Sequence, residues 1–351
     1  MTELKNRQIN ILEIIRQEKE ISSSGIFNIL KKKERSSLVT IKRDLSNLLK
    51  LGYLEKTGKG RSIIYKLSVQ GEILSPIDAK TYCAIDPDKR SGSKSYNFEL
   101  FSKIDFNLFS KEEEIELDNA TKEYRIRIKN SPKGIHKKEL ERFIIELSWK
   151  SSKIEGNTYT LLDTERLIRE GIPAKGHSKN ESIMILNHKK AFEFILEREG
   201  DFSKNIQNPL VEEIHKKIVS GLNVNFGIRK SPVGITGTVY KPLDNQYQIH
   251  EALEELNKLV NHTNNPYTKA LLIILGMSYI QPFEDGNKRT ARLLANAILL
   301  AHKCAPLSYR SVDEVNYREA ILVFYETYSI MPMKKIFIEQ YIFSTNTYLV
   351  E

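Results

Sequence analysis

The chain has 351 residues, 40% apolar and 28% charged, which is ordinary globular composition and room for two or three domains. Its net charge of +9 is crowded at the front, where residues 1–75 hold 15 Lys/Arg against 8 Asp/Glu. Cys83 and Cys304 fit no metal or redox spacing, Met1–Lys50 lacks a signal-peptide core, and the longest apolar run, Ala270–Met277, is far short of the roughly 20 residues that span a bilayer. A cytoplasmic chain with no membrane segment is expected.

Ile9, Leu12 and Ile15 mark a first amphipathic helix, and Ser22–Ser24 can cap a second through Ile26, Ile29 and Leu30. Ser37 can cap a third, on which Leu38, Ile41, Leu45 and Leu48 keep helical spacing up to Gly52. Tyr53–Lys56, the turn Thr57-Gly58-Lys59-Gly60 and Arg61–Leu67 read as a hairpin with a basic tip. Three short helices and a basic hairpin over residues 1–75 resemble a winged helix-turn-helix. The run Val39–Leu48 followed by Gly52-Tyr53-Leu54 is similar to the recognition helix of DeoR-type regulators. That resemblance implies DNA as a partner, with Ser37, Thr40, Lys42 and Arg43 at the groove and Lys59 and Arg61 on backbone phosphates. A protein-binding winged helix with a merely solvated basic face is the alternative.

Residues 76–111, with Pro76, Pro87 and Ser91-Gly92-Ser93, read as an irregular linker. From 112 to 345 the pattern is helical almost throughout, over Glu112–Asn130, Ile135–Lys153, Asn180–Leu196, Asn208–Ser220, Ile249–Val260, Tyr267–Ile280, Thr290–Lys303 and Glu314–Glu326. A mainly α bundle follows. The β-branched, glycine-punctuated run Val233–Tyr240 interrupts it and predicts a small hairpin.

The stretch Gln281-Pro282-Phe283-Glu284-Asp285-Gly286-Asn287-Lys288-Arg289-Thr290-Ala291-Arg292 joins two apolar helices through a turn rich in acids and cations. Unpaired N–H groups at a helix start attract anions, and Arg289 and Arg292 are spaced to share one side of the outgoing helix. Asp285 suits a hard cation such as Mg²⁺, which leans on one carboxylate plus substrate phosphates. His188, His215 and His250 lie on helical patterns and read as packing or surface residues.

This stretch resembles the Fic motif His-Pro-Phe-x-Asp/Glu-Gly-Asn-Gly/Lys-Arg-x-x-Arg at every defined position but the first, where Gln281 stands for histidine. Ser151-Ser152-Lys153-Ile154-Glu155-Gly156-Asn157 is similar to the family's inhibitory motif, which marks Ser151, Glu155 and Gly156. Gly227-Ile228-Arg229 and the run Val233–Lys241 resemble its target-docking flap, with Gly237, Thr238, Val239 and Tyr240 in it. The resemblance implies the Fic helical fold and transfer of AMP from ATP to a protein hydroxyl, with Mg²⁺ on Asp285. It implies that the amides Gly286–Arg289 and the Asn287 side chain cradle phosphates, Lys288 lines the turn, Arg289 neutralises the β/γ end and Arg292 grips the γ-phosphate. Glu155 would deny Arg292 to that phosphate. Fic relatives often self-associate, so a homo-oligomer is a further expectation. Because an amide takes no proton near neutral pH, Gln281 leaves the expected general base missing. The reading is therefore a nucleotide-binding protein of adenylyltransferase type with impaired transfer, or a transcriptional regulator with a silent Fic module.

Overall fold

The structure is a computed structural model and describes residues 4–32, 34–104, 107–203 and 205–350, with the side chain of Arg61 outside the description. It is mainly helical with one small antiparallel sheet.

The front is built from α1 (Asn6–Glu18), β1 (Ile21–Ser22), α2 (Ser23–Leu30), α3 (Leu38–Lys50), β2 (Leu54–Thr57), β3 (Ile64–Leu67) and α4 (Val69–Leu74). Ile11, Ile15, Ile26, Leu30, Ile41, Leu45 and Leu48 meet in its core. Ser37 caps α3 by accepting from the Thr40 N–H, and Ser22 caps α2 in the same way. The sheet order is β1-β3-β2, and the β2–β3 register pairs Leu54 with Leu67 and Thr57 with Ile64.

Two short helices, α5 (Ala79–Cys83) and α6 (Leu100–Lys103), lie on the stretch that follows. The bundle then runs through α7 (Lys111–Asn130), α8 (Lys133–Ile154), α9 (Leu161–Glu170), α10 (Lys179–Glu197), α11 (Glu199–Phe202), α12 (Asn208–Val219) and α13 (Gln246–His262). It closes with α14 (Pro266–Ile280), α15 (Asn287–Ala301), α16 (Glu314–Thr327) and α17 (Met331–Thr347). Every residue of α14 from Tyr267 to Ile280 is buried, which is why its pattern is apolar on all sides rather than amphipathic. α15 is buried almost as completely and packs along α14, so the turn between them is anchored in the centre of the core. The front sits on the far end of α16: Ile330 N–H donates to Ile73 O, and Ser329 Oγ to Ser75 O.

The run Val233–Tyr240 differs from its sequence expectation. It forms no strand ladder among the described residues, only a turn at Thr236-Gly237 and an isolated parallel bridge from Ser95 to Lys241. β-branched residues favour extended backbone, but a ladder needs a partner strand, and α16 and the 76–103 stretch occupy its surroundings instead.

Among the described residues no helix is long and apolar enough to cross a membrane.

Candidate active site: the turn between α14 and α15

Gln281 ends α14 in the left-handed region, at φ 51° and ψ 58°, with its N–H returning to Met277 O. A non-glycine residue there costs roughly 1–2 kcal/mol, and such cost persists where the surroundings enforce it. The enforcement is visible. Gln281 Nε2 donates to Ser278 O at 2.7 Å and to Tyr325 Oη at 3.2 Å, and its Oε1 accepts from Asn287 Nδ2 at 2.9 Å. Arg229 braces the outside of the turn, donating from Nε to Gln281 O and from its own N–H to Pro282 O. Gly286, at φ 80°, lets the chain reverse directly into α15, a conformation that a side chain would strain.

Phe283 is fully buried and stacks on His215, with ring centroids 3.7 Å apart and planes within 9°. Burying such a ring contributes about 1.5–3 kcal/mol. His215 Nε2 also donates to Asp285 O at 3.0 Å, so one ring supports the turn by stacking and by a hydrogen bond. Burial pushes the imidazole down to about 4, with Arg289 adding to the effect, so it is neutral.

Asn287 closes the turn from within. Its Oδ1 accepts from Phe283 N–H, and its Nδ2 donates to Phe283 O and Gln281 Oε1. The side chain is spent holding the turn closed, because the turn's buried main-chain groups need partners.

The cations divide sharply. Arg292, fully buried, donates from Nε to Ser151 Oγ and from Nη2 to Ser151 O and Glu155 Oε1, all within 2.9 Å. Lys288 Nζ meets the other Glu155 oxygen at 2.9 Å. Burial would raise the Glu155 carboxyl, but Arg292 and Lys288 override it and hold the group at about 2. Arg292 Nη1 has no hydrogen-bond partner among the described residues, and Arg289 is paired less fully still. Its Nη2 reaches Asp285 Oδ2 at 2.8 Å, while its buried Nε and Nη1 have no hydrogen-bond partner among the described residues. A buried donor left unpaired is costly, so Arg289 Nε and Nη1 are groups with much to gain from an acceptor.

Ser151 links this cage to a residue that carried no signal in the sequence. His188 Nε2 lies 2.7 Å from Ser151 Oγ. Burial and then Arg292 press His188 well below its ordinary range, so the ring is neutral, and the serine accepts from Arg292. Gly156 follows Glu155 at the end of α8, and the next residue, Asn157, accepts on Oδ1 from Tyr159 N–H. On the last turns of α8, Trp149 Nε1 donates to Tyr159 O, and the ring is flanked by Lys150 and Lys153.

A cavity of about 570 Å³ opens over the turn, within the usual range for small-molecule sites. Glu155, Gln281, Asp285 and Lys288 line one side, and Val233–Gly237 the other. The Asp285 carboxylate is 60% exposed at its mouth. Thr238 and Tyr240 turn away from the cavity: Thr238 Oγ1 donates to Glu326, and Tyr240 is buried with its hydroxyl on Tyr279 O. Val239 lies between them, half-buried.

The front residues named from sequence are separate from this site. Lys42 and Arg43 are exposed side by side on α3, and Lys59 is exposed at the hairpin tip. Ser37 is engaged as the α3 cap, and Thr40 Oγ1 lies 2.9 Å from its hydroxyl. The Arg61 side chain lies outside the described residues.

A buried helix pair whose connecting turn presents helix-start amides, two arginines and a lysine defines a helical domain equipped for anionic ligands. Residues 205–299 match the Fic/DOC family, so the chain carries a Fic/DOC family domain. It is similar to the protein adenylyltransferase Fic of Nematostella vectensis, 27% identical over 194 residues, covering 52% of this chain and 44% of that protein. Protein adenylyltransferase fic-1 of Caenorhabditis elegans is 27% identical over 162 residues, covering 44% and 31%. The chain thus spans less than half the length of these curated relatives. In fold it is similar to a Fic domain containing signaling protein from Bacteroides thetaiotaomicron, with TM-score 0.56 and 21% identity over 66% of this chain and 94% of the other. It is likewise similar to Fic-1 from C. elegans, with TM-score 0.55 and 18% identity over 67% and 70%.

Proposed function

We propose that this chain binds ATP at the α14–α15 turn in the manner of a protein adenylyltransferase, and that Glu155 holds it in a resting state. The observation that carries the reading is the Glu155 carboxylate between Arg292 and Lys288, an internal anion occupying cations that a phosphate would otherwise claim. Arg289, with two unpaired donors, completes an anion site that is only partly filled from within. A triphosphate fits this donor set. Mg²⁺ fits Asp285 as its one carboxylate ligand, since the ion relies mainly on phosphate oxygens and water; when bound, it neutralises charge at the phosphates. Among the described residues no group of three metal-ligating side chains exists.

The transfer step lacks its base. Both Gln281 amide protons are engaged with Ser278 O and Tyr325, and one acceptor site with Asn287. The residue braces the turn and takes no proton from an incoming hydroxyl, a loss worth about 10²–10⁴-fold in rate. The loop Val233–Thr236, whose N–H and C=O groups make no backbone hydrogen bonds among the described residues, offers an extended edge to a target segment.

The test is labelled-ATP binding and transfer with wild type, Gln281→His, Glu155→Gly and the double variant. Tighter ATP binding in Glu155→Gly and transfer only in the double variant is the expected pattern. ATP affinity indifferent to Glu155 would sink the resting-state reading, and no ATP binding in any form would sink the nucleotide reading itself.

A second reading concerns the front. The outward face of α3 carries Val39, 78% exposed, with Lys42, Arg43, Ser46 and Asn47 beside it. Cations, amides and one apolar contact on an uncovered helix behind a basic hairpin suit a winged helix reading the major groove of duplex DNA. A transcriptional regulator with a silent Fic module follows from this face if transfer is absent. Duplex binding that weakens steeply with salt is expected; binding indifferent to salt, or none, would retire it.

A further inference from the structure

We propose that Arg90 is a positioning residue for the loop Val233–Lys241, fixing its tip so that its free edge stays over the α14–α15 turn. The proposal rests on the reading of that loop as the docking edge for a protein target.

Arg90 lies on the stretch between the front and the bundle, yet it is almost fully buried. Its Nη1 donates to Gly237 O and to Glu326 Oε1, each at 3.0 Å. Its Nε donates to Ile85 O at 2.8 Å, and its Nη2 to Cys83 O at 3.1 Å. Glu326, at the end of α16, accepts Thr238 Oγ1 at 2.6 Å on Oε1 and Tyr82 Oη at 2.8 Å on Oε2. One guanidinium and one carboxylate therefore join the connecting stretch, the loop tip and α16. A second grip lies at the loop's end, where Lys241 N–H donates to Lys94 O at 3.0 Å. Between the grips, Ser93 N–H donates to Glu326 O, and Gly92 lies so close that an added Cβ would stand 2.5 Å from Glu326 Cβ.

A buried ion pair is a weak source of stability, since desolvation offsets its attraction. What it supplies here is direction. The rigid fork of arginine addresses carbonyls on two separate segments at once, which a lysine cannot do. Arg90 and Cys83 line the same cavity as Gln281, Asp285 and Val233–Gly237. Beyond Arg90's grip, Val233–Thr236 makes no backbone hydrogen bond among the described residues, while Gly237 O, Tyr240 N–H and Lys241 N–H are held. Arg90 thus holds one half so that the other stays available.

The test uses the full chain with Arg90→Ala, Arg90→Lys and, to remove the loop's side of the grip at constant shape, Thr238→Val. Hydrogen exchange of segments 237–241 and 287–292 is followed by mass spectrometry alongside ATP affinity. In Arg90→Ala and Thr238→Val, segment 237–241 should exchange at least about tenfold faster, with 287–292 and ATP affinity changed less than about twofold. Arg90→Lys should recover part of the protection. In the Glu155→Gly, Gln281→His background, Arg90→Lys should raise KM for a bait copy of the chain (Arg289→Ala) at least about tenfold, with kcat and KM for ATP within about twofold. Unchanged loop exchange overturns the proposal, and so does faster exchange spread evenly through the bundle. If the background transfers nothing to the bait, it is the transfer reading that fails, and the exchange result still decides the part played by Arg90.

Discussion

Gln281 Oε1 accepts a hydrogen bond from Asn287 Nδ2 at 2.9 Å, so the residue that ends α14 is tied to the residue that begins α15. A histidine at 281 can keep this acceptor through a ring nitrogen but cannot also serve both Ser278 O and Tyr325. Gln281→His should therefore fold with a penalty of about 1 kcal/mol, a fall in melting temperature of no more than roughly 3 °C. A loss above about 10 °C in calorimetry would mean that the amide does more than brace the turn.

Arg289→Met separates function from stability. The substitution removes two unpaired buried donors along with the exposed contact to Asp285, so the unliganded protein should be no less stable, and by up to roughly 1–3 kcal/mol more so. ATP binding by calorimetry should weaken at least about tenfold. A destabilised variant that still binds ATP would refute the assignment of Arg289 to the phosphate site.

The pH dependence of stability has two windows. His215, lowered to about 4, and His188, lowered further, are neutral in the fold and bind protons more readily unfolded. Their contribution is whole above about pH 6.5 and falls as pH drops toward 4. From pH 6.5 to 5, His215 alone should remove on the order of 2 kcal/mol. Glu155, at about 2, contributes fully above its ordinary 4.5 and loses that contribution between there and 2. Urea midpoints at pH 7.5 and 5 check this, and His215→Gln should flatten the difference.

Ser37→Ala and Arg43→Ala should act on different quantities. Loss of the α3 cap should cost about 1 kcal/mol of stability. Loss of the exposed Arg43 should leave stability alone, weaken duplex binding and lower the salt slope by about 0.9 if it meets a phosphate. Titrations at several salt concentrations distinguish the two. A Ser37→Ala variant with normal stability and lost DNA binding would reverse the assignment.

The turn was legible because its chemistry is local: acids, glycine and cations within twelve residues at a helix start. α14 was legible because an unbroken apolar run needs no partner to be read as buried. The Val233–Tyr240 loop was misread for the opposite reason. Its β-branched residues signal extension, but what holds it is Arg90 and Glu326, 236 positions apart in the chain. Asn287 also holds the turn, and the sequence does not show that its amide meets the Phe283 carbonyl. His188 and His215 sit at helical spacings shared by any packing residue, so nothing in their neighbours separated them from surface histidines.

Trp149 is the chain's only tryptophan, and its indole N–H spans from α8 to Tyr159 O across the segment that carries Glu155. Glu155 is among the few residues this bond brackets. The protein therefore carries its own optical reporter: intrinsic emission should shift in step with release of the cation cage, with no label attached and no second tryptophan to blur the signal.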